Sequence, residues 1–352
     1  MRLFLLILLL VSKTIFYGQE NGSVNEKLEE IALNLTSNLN SEKDKAWAIY
    51  DWVTSNIAYD VELYNRGQFV SYDISIAFAK DQEDFDKKYD SAVLSIVLDK
   101  KKAICDGYSR IFKALCDHSG LESEIVSGYA KSFFNMDLPK EFKTNHAWNV
   151  IKLDGKWYLI DSTWGSGFVD LKGSSFTKRQ NKFYFLTPPD LLILDHYPKE
   201  MKYALLKENL TYEDFKNLPR MMRSGKTVLI TEISPKNTPI VYDQTATIEL
   251  TLSEIQDDQF FFVSETPTLA KRDLLGLTVT NKNYDSLSKI HTDLNLYMPM
   301  IEYTQEFINP SKIRFNIRFK HDSIRSIEIQ SDFGSIEFPT IHKSKTAQRL
   351  KK

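Results

Sequence analysis

Ala103-Ile104-Cys105-Asp106-Gly107-Tyr108-Ser109-Arg110-Ile111-Phe112-Lys113-Ala114-Leu115-Cys116 is the stretch on which the reading of the chain turns. Apolar Tyr108, Ile111, Phe112, Leu115 and Cys116 recur at three- and four-residue spacing, which predicts a helix with one buried face. His118, Ser119 and Gly120 close it, with Gly120 where a left-handed cap belongs. Cys105 opens it. There the backbone N–H groups lack intrahelical partners and the helix dipole is positive, so a thiolate is stabilised and made more nucleophilic near neutral pH. A cysteine is more often a small buried apolar residue; two downstream strands, with a histidine and an aspartate on them, argue for the reactive reading.

Asn145–Leu153 and Lys156–Thr163 are strand-like runs separated by Asp154-Gly155, the strongest hairpin signal in the sequence. A two-residue turn there places Leu153 opposite Lys156, Trp148 opposite Asp161 and His146 opposite Thr163. His146 and Asp161 then share a face as diagonal neighbours, with Cβ atoms roughly 7–8 Å apart. A slip of one residue would separate them. Cys105 as nucleophile, His146 as its base and Asp161 as the group that orients the imidazole are the residue types that acyl transfer at an amide carbonyl requires.

The same residues resemble a family. Cys105-Asp106-Gly107-Tyr108, Asn145-His146-Ala147-Trp148-Asn149-Val150 and Tyr158-Leu159-Ile160-Asp161-Ser162-Thr163-Trp164-Gly165 resemble, in order, three motifs of the transglutaminase-like superfamily. Tyr50-Asp51-Trp52 with Tyr59-Asp60 is similar to its N-terminal signature. Tyr184-Phe185-Leu186-Thr187-Pro188-Pro189 and His196-Tyr197-Pro198 are similar to its kyphoscoliosis-peptidase branch. The resemblance spans about residues 40–200. It implies a papain-like α+β core with Cys105, His146 and Asp161 as nucleophile, base and orienting acid. It also implies carbonyl stabilisation by the Cys105 backbone N–H and one further donor. Trp52 is a candidate for that donor or for a groove wall. Trp148 and Trp164 read as wall or core residues, and no papain-type glutamine is evident upstream.

Composition sets the frame. The chain has 352 residues, 45 basic and 47 acidic, for a formal net charge of -2; with 42% hydrophobic and 12% aromatic residues it is an ordinary globular protein of about two domains. That balance offers no electrostatic footprint for nucleic acid. Cys105 and Cys116 stand about 16 Å apart along one helix and cannot pair with each other. The histidines outside the motifs lack the companions of a metal site, so no metal and no cofactor is expected.

Residues 1–18 read as a secretory signal peptide, with Arg2 before an apolar run from Leu3 to Val11 and no lipobox cysteine. A secreted or periplasmic location and no membrane span after signal removal are the resulting expectations. The expected catalytic domain covers residues 19–215. It contains amphipathic helices over Asn25–Asn38 and after Ser41, a polar surface connection over Val61–Lys88 with a short helix near Ile74–Ala79, a helix over Ser91–Leu98 and a strand over Leu121–Ala130. From about Ser224, runs such as Ala246–Leu252 and Ile313–Phe319 alternate apolar and polar residues. These predict an all-β, immunoglobulin-like sandwich over residues 224–342, with a basic tail at 343–352. The combined reading is a secreted cysteine enzyme acting on protein or peptide amides, foremost a peptidase. Alternatives are a cross-linking transglutaminase and a non-catalytic envelope module that keeps the fold. Oligomeric state is not legible.

Overall fold

The computed structural model describes residues 23–66, 72, 79–132, 138–170, 172–223, 230–236, 239–253, 261–267, 301–320, 324–331 and 334–343. The expected signal peptide, most of the expected Ile74–Ala79 helix and the expected basic tail beyond Lys343 lie outside the described residues. The chain is α+β and divides into two compact units, Met1–Ser127 with Asn145–Leu186, and Gly128–Thr144 with Thr187–Lys352.

In the first unit, helix Val24–Thr36 starts at a reciprocal capping box, in which Glu26 N–H donates to Ser23 Oγ at 3.2 Å and Ser23 N–H to Glu26 Oε2 at 2.7 Å. Helix Glu42–Asn56 comes next, capped by Ser41, whose Oγ accepts from Asp44 N–H at 3.0 Å. It buries Ile49, Tyr50 and Val53 completely. Strand β1 (Ala58–Tyr59) runs parallel to β2 (Lys102–Ala103), with Ala58 paired to Lys102 and Tyr59 to Ala103. This short ladder ties the end of the Glu42–Asn56 helix to the entrance of the Cys105 helix.

The described residues of the region expected to be a surface connection are largely helical. Val61–Asn65 is capped by Asp60, and Gln82–Lys100 is a 19-residue helix that begins well before Ser91. Its first turns carry no apolar stripe, so periodicity gives no sign of them. Polar contacts hold them instead: Asp84 N–H donates to Asp81 Oδ1 at 2.8 Å, and Lys87–Glu83 (2.6 Å) and Lys88–Asp84 (2.8 Å) bridge successive turns.

Helix Cys105–His118 occupies the middle of the unit, with Tyr108, Ile111, Phe112, Leu115 and Cys116 fully buried. Gly120 lies just past its end at φ +73°, as the sequence predicts. The glycine inside the first turn has a packing reason. A Cβ on Gly107 would lie 2.2 Å from the Tyr72 hydroxyl, whose oxygen accepts from Ile104 N–H at 3.3 Å. Behind this helix, β3 (Glu122–Ala130), β4 (His146–Leu153), β5 (Lys156–Ile160) and β8 (Phe185–Thr187) form a sheet in the order β8-β5-β4-β3, and β6 (Gly167–Val169) pairs with β7 (Phe176–Lys178). Asp154 and Gly155 both take positive φ in the hairpin, and the register runs from Leu153 opposite Lys156 to Asn149 opposite Ile160.

In the second unit, Gly128–Ala130 pair antiparallel with β9 (His196–Pro198) beside a cluster of Tyr129, Phe142, Tyr197, Tyr212 and Phe215. Lys131 is buried there, and its Nζ donates to the Phe215 carbonyl at 2.6 Å, closing the Tyr212–Asn217 helix. Asp195 and His196 form a fully buried pair at 2.6 Å. The remaining strands are β10 (Arg220–Arg223), β11 (Ile230–Ser234), β12 (Ile240–Tyr242), β13 (Thr245–Leu252), β14 (Phe262–Pro267), β15 (Ile301–Asn309), β16 (Lys312–Phe319), β17 (Ile324–Ser331) and β18 (Gly334–His342). They build two sheets, β10-β18-β17-β14 with β12 beside β18, and β11-β13-β16-β15. Tyr242 stacks on Phe319 at 3.7 Å and Phe261 meets Phe315 at 5.6 Å between the sheets, so this is a sandwich. Strand β15 has no signature in the sequence pattern because, past Ile301, its residues are exposed without alternation.

Gly165 provides a test of this packing. A Cβ there would lie 2.0 Å from the hydroxyl of fully buried Tyr50, which donates to the Asn181 carbonyl at 2.7 Å. Gly165→Ala is expected to destabilise the first unit by about 1–3 kcal/mol, the usual cost of overpacking. A thermal melt should show it as a fall of several degrees, whereas an exposed Leu33→Ala control (53% exposed) should move little.

Candidate active site

Cys105 is the first residue of its helix, partly exposed, and its N-cap Ile104 offers no side-chain cap. The thiol therefore sits against first-turn N–H groups that no capping side chain occupies. Cys116, three turns on, is fully buried, and burial pushes its thiol well above the ordinary range. The two cysteines are free, and only Cys105 can meet a reagent.

His146 opens β4, and Asp161 comes directly after the last residue of β5. The ladder ends at Asn149 opposite Ile160, so the expected pairing of His146 with Thr163 does not form. Thr163 instead lies in the short helix Ser162–Ser166, and Asp161 is its N-cap. This departure improves the site. Asp161 Oδ1 accepts from Thr163 N–H at 2.8 Å and from Trp164 N–H at 3.0 Å, which fixes the carboxylate. Its other oxygen, Oδ2, lies 2.8 Å from His146 Nε2, so the ring N–H donates to a carboxylate that cannot turn away. Asp161 is completely buried and His146 is 9% exposed. Both carry metal-ligating atom types, yet Nε2 and Oδ2 engage each other at hydrogen-bond distance.

The electrostatics derive from this burial. Desolvation disfavours the imidazolium, but the Asp161 carboxylate, through its charge and its hydrogen bond, and a hydrogen bond with Cys105 raise the His146 pKa to about 10.

Two indole rings flank the imidazole. Trp148, 1% exposed, stacks near His146 at 6.0 Å with planes 26° apart, and half-buried Trp164 lies at 5.5 Å. At Trp52 the Lys101 ammonium lies over the ring at 5.1 Å. The sequence pattern does not single out three tyrosines whose hydroxyls feel the charge of Cys105. Burial raises the hydroxyl pKa values of Tyr59, Tyr64 and Tyr72, and the charge of Cys105 adds to each. The Tyr59-Asp60 pair is visible only as part of a signature, because a linear pattern does not show which buried tyrosines feel a distant charge.

With this geometry in view, comparison with known proteins agrees. Residues 29–162 match the family model described as the transglutaminase-like superfamily. The kyphoscoliosis peptidase of Mus musculus is 36% identical over 198 residues, covering 55% of this chain and 27% of that protein. The human kyphoscoliosis peptidase is 36% identical over 193 residues, covering 54% and 26%. A crystal structure described as that of a TGase shares 25% identity, covers 46% of this chain and 34% of that one, and has a TM-score of 0.29. Residues 29–162 thus match a transglutaminase-like domain, and about half of the chain is similar in sequence to kyphoscoliosis peptidases. The chain spans about a quarter of the length of the relatives it matches.

The His146–Asp161 pair carries a pH signature. The His146 pKa of about 10 lies above the ordinary value of 6.5, so the folded state binds a proton that the unfolded state releases between these values. The stabilisation is complete below pH 6.5 and is lost as pH rises toward 10. Thermal melts of the wild type should therefore fall across this window, and Asp161→Asn, which removes the charge, should flatten the fall.

Proposed function

We propose that Cys105, His146 and Asp161 act together as the machinery of a cysteine-dependent acyl-transfer enzyme whose substrates are amide bonds of proteins or peptides. The observation that carries the reading is the buried 2.8 Å hydrogen bond from His146 to an Asp161 carboxylate fixed by two backbone N–H groups, together with a cysteine at a helix N-terminus. In the first step the Cys105 sulfur, its proton already passed to His146, attacks the carbonyl carbon. A C–S bond forms while the carbonyl π pair moves to oxygen. Return of that pair expels the amine, which leaves with the proton from His146 as an acyl-cysteine remains. Water, deprotonated by His146, then releases the acid and restores the thiol.

Hydrolysis is favoured over transfer to a second amine because the relatives at 36% identity are named peptidases. Residues 1–18, read as a signal peptide, extend the proposal to an enzyme working outside the cytoplasm.

Iodoacetamide labelling of Cys105 at pH 6, with mass spectrometry of its peptide, tests the assembly; buried Cys116 serves as the unlabelled internal reference. His146→Ala is expected to slow labelling at least tenfold. Equal rates in the two proteins would overturn the reading. Cys105→Ser is expected to lower hydrolysis of a fluorescent casein by roughly a thousandfold or more. Incorporation of dansylcadaverine into casein in place of cleavage would establish the transferase alternative.

A further inference from the structure

Folding alone does not call for an asparagine at position 149. The residue is completely buried in β4, three positions after His146, and Ile151 and Leu153 on the same face of the strand are buried and apolar. Asn149 Nδ2 donates to the Ser109 carbonyl at 3.1 Å and to the Glu124 carbonyl at 3.3 Å. Two carbonyls can face only the NH2 end of an amide, so its orientation is set. Oδ1 is then buried with no donor on it among the described residues. An acceptor in that state costs stability, and an apolar side chain of similar size would avoid the cost. The Ser109 carbonyl gains little in return, because it lies inside the Cys105–His118 helix, whose own ladder already employs it.

We propose that Asn149 is a positioning residue that sets the Cys105 helix in register against the strand carrying His146; this rests on the acyl-transfer reading above.

The tie runs to the nucleophile itself. Ser109 stands one turn from Cys105, and its buried hydroxyl donates to the Cys105 carbonyl at 2.9 Å. A single amide therefore joins the first turns of the nucleophile helix, β4 and β3. The rest of the helix face, Tyr108, Ile111, Phe112 and Leu115, is held by the apolar core. Apolar attraction is non-directional, so it resists separation of helix and sheet more than it resists sliding. A hydrogen bond is confined to a narrow range of length and angle and fixes the remaining freedom. His146 cannot follow a helix that slides, because Asp161 holds its ring and two backbone N–H groups hold Asp161. The thiol and the imidazole then stay in register only if the helix is pinned, and a misplacement of about 1 Å can cost roughly a hundredfold in rate.

Asn149→Leu keeps the bulk of the side chain and removes the donor. The readout is the rate of Cys105 labelling by iodoacetamide at pH 6, measured with and without His146, beside a thermal melt of each protein. Asn149→Leu is expected to melt within a few degrees of wild type and to label at least fivefold more slowly. In a His146→Ala background the same substitution is expected to change the rate by less than about twofold, because no alignment remains to be lost. Asn149→Ala, which adds no bulk, carries the same comparison should the leucine variant fail to fold.

Equal labelling of wild type and Asn149→Leu would overturn the assignment and leave the acyl-transfer reading intact. Equal slowing in the presence and absence of His146 would overturn it too, by showing that Asn149 supports the fold rather than the alignment of two side chains. Labelling that is the same in wild type and His146→Ala would count against the acyl-transfer reading and remove the assignment with it.

Discussion

The bond between His146 and Asp161 is the constraint on which the rest of the site depends. A carboxylate with no exposed surface is costly to bury unless every strong acceptor position is met. Here one oxygen takes two backbone N–H groups and the other takes the imidazole. Ending β5 at Ile160 and starting a helix at Ser162 therefore serves folding and chemistry together. The cap that begins the helix is also the group that sets the direction and charge of His146.

Several features of the first unit can be understood as supports for that bond and for the cysteine facing it. Trp148 and Trp164 flank the imidazole and keep it dry, which strengthens its attraction to Asp161. Gly165 lets the Tyr50 phenol pass against the cap helix, and Gly107 lets Tyr72 pass against the nucleophile helix. In both places a side chain would push a buried tyrosine away from the site. The β1–β2 ladder adds a second line of control, joining the Glu42–Asn56 helix to the backbone that leads into Cys105.

Much of this is legible in the sequence because the relevant forces are local. The apolar spacing from Tyr108 to Cys116 fixes a helix and leaves Cys105 at its start. Asp154-Gly155 fixes a turn, and the turn fixes a register that brings His146 toward Asp161. Alternation in residues 245–252 and 312–319 marks sandwich strands. Where the signal is weak, the physics is not local. The first turns of Gln82–Lys100 are solvated and held by a cap and ion pairs, so no apolar period marks them. Strand β15 shows no alternation of exposure.

By itself, then, the sequence determined the candidate residues and the local elements that carry them, since helix faces, caps and tight turns depend on neighbours a few positions apart. Tertiary structure alone decided how they meet. It ended the β4–β5 ladder before Thr163, divided the two oxygens of Asp161 between a helix cap and an imidazole, set Lys101 over the Trp52 ring, and paired Tyr59 with Ala103, two residues before Cys105, through two short parallel strands. These arrangements join residues far apart in the chain. Their cost in loop closure is met only when the whole core forms, so no local pattern could announce them.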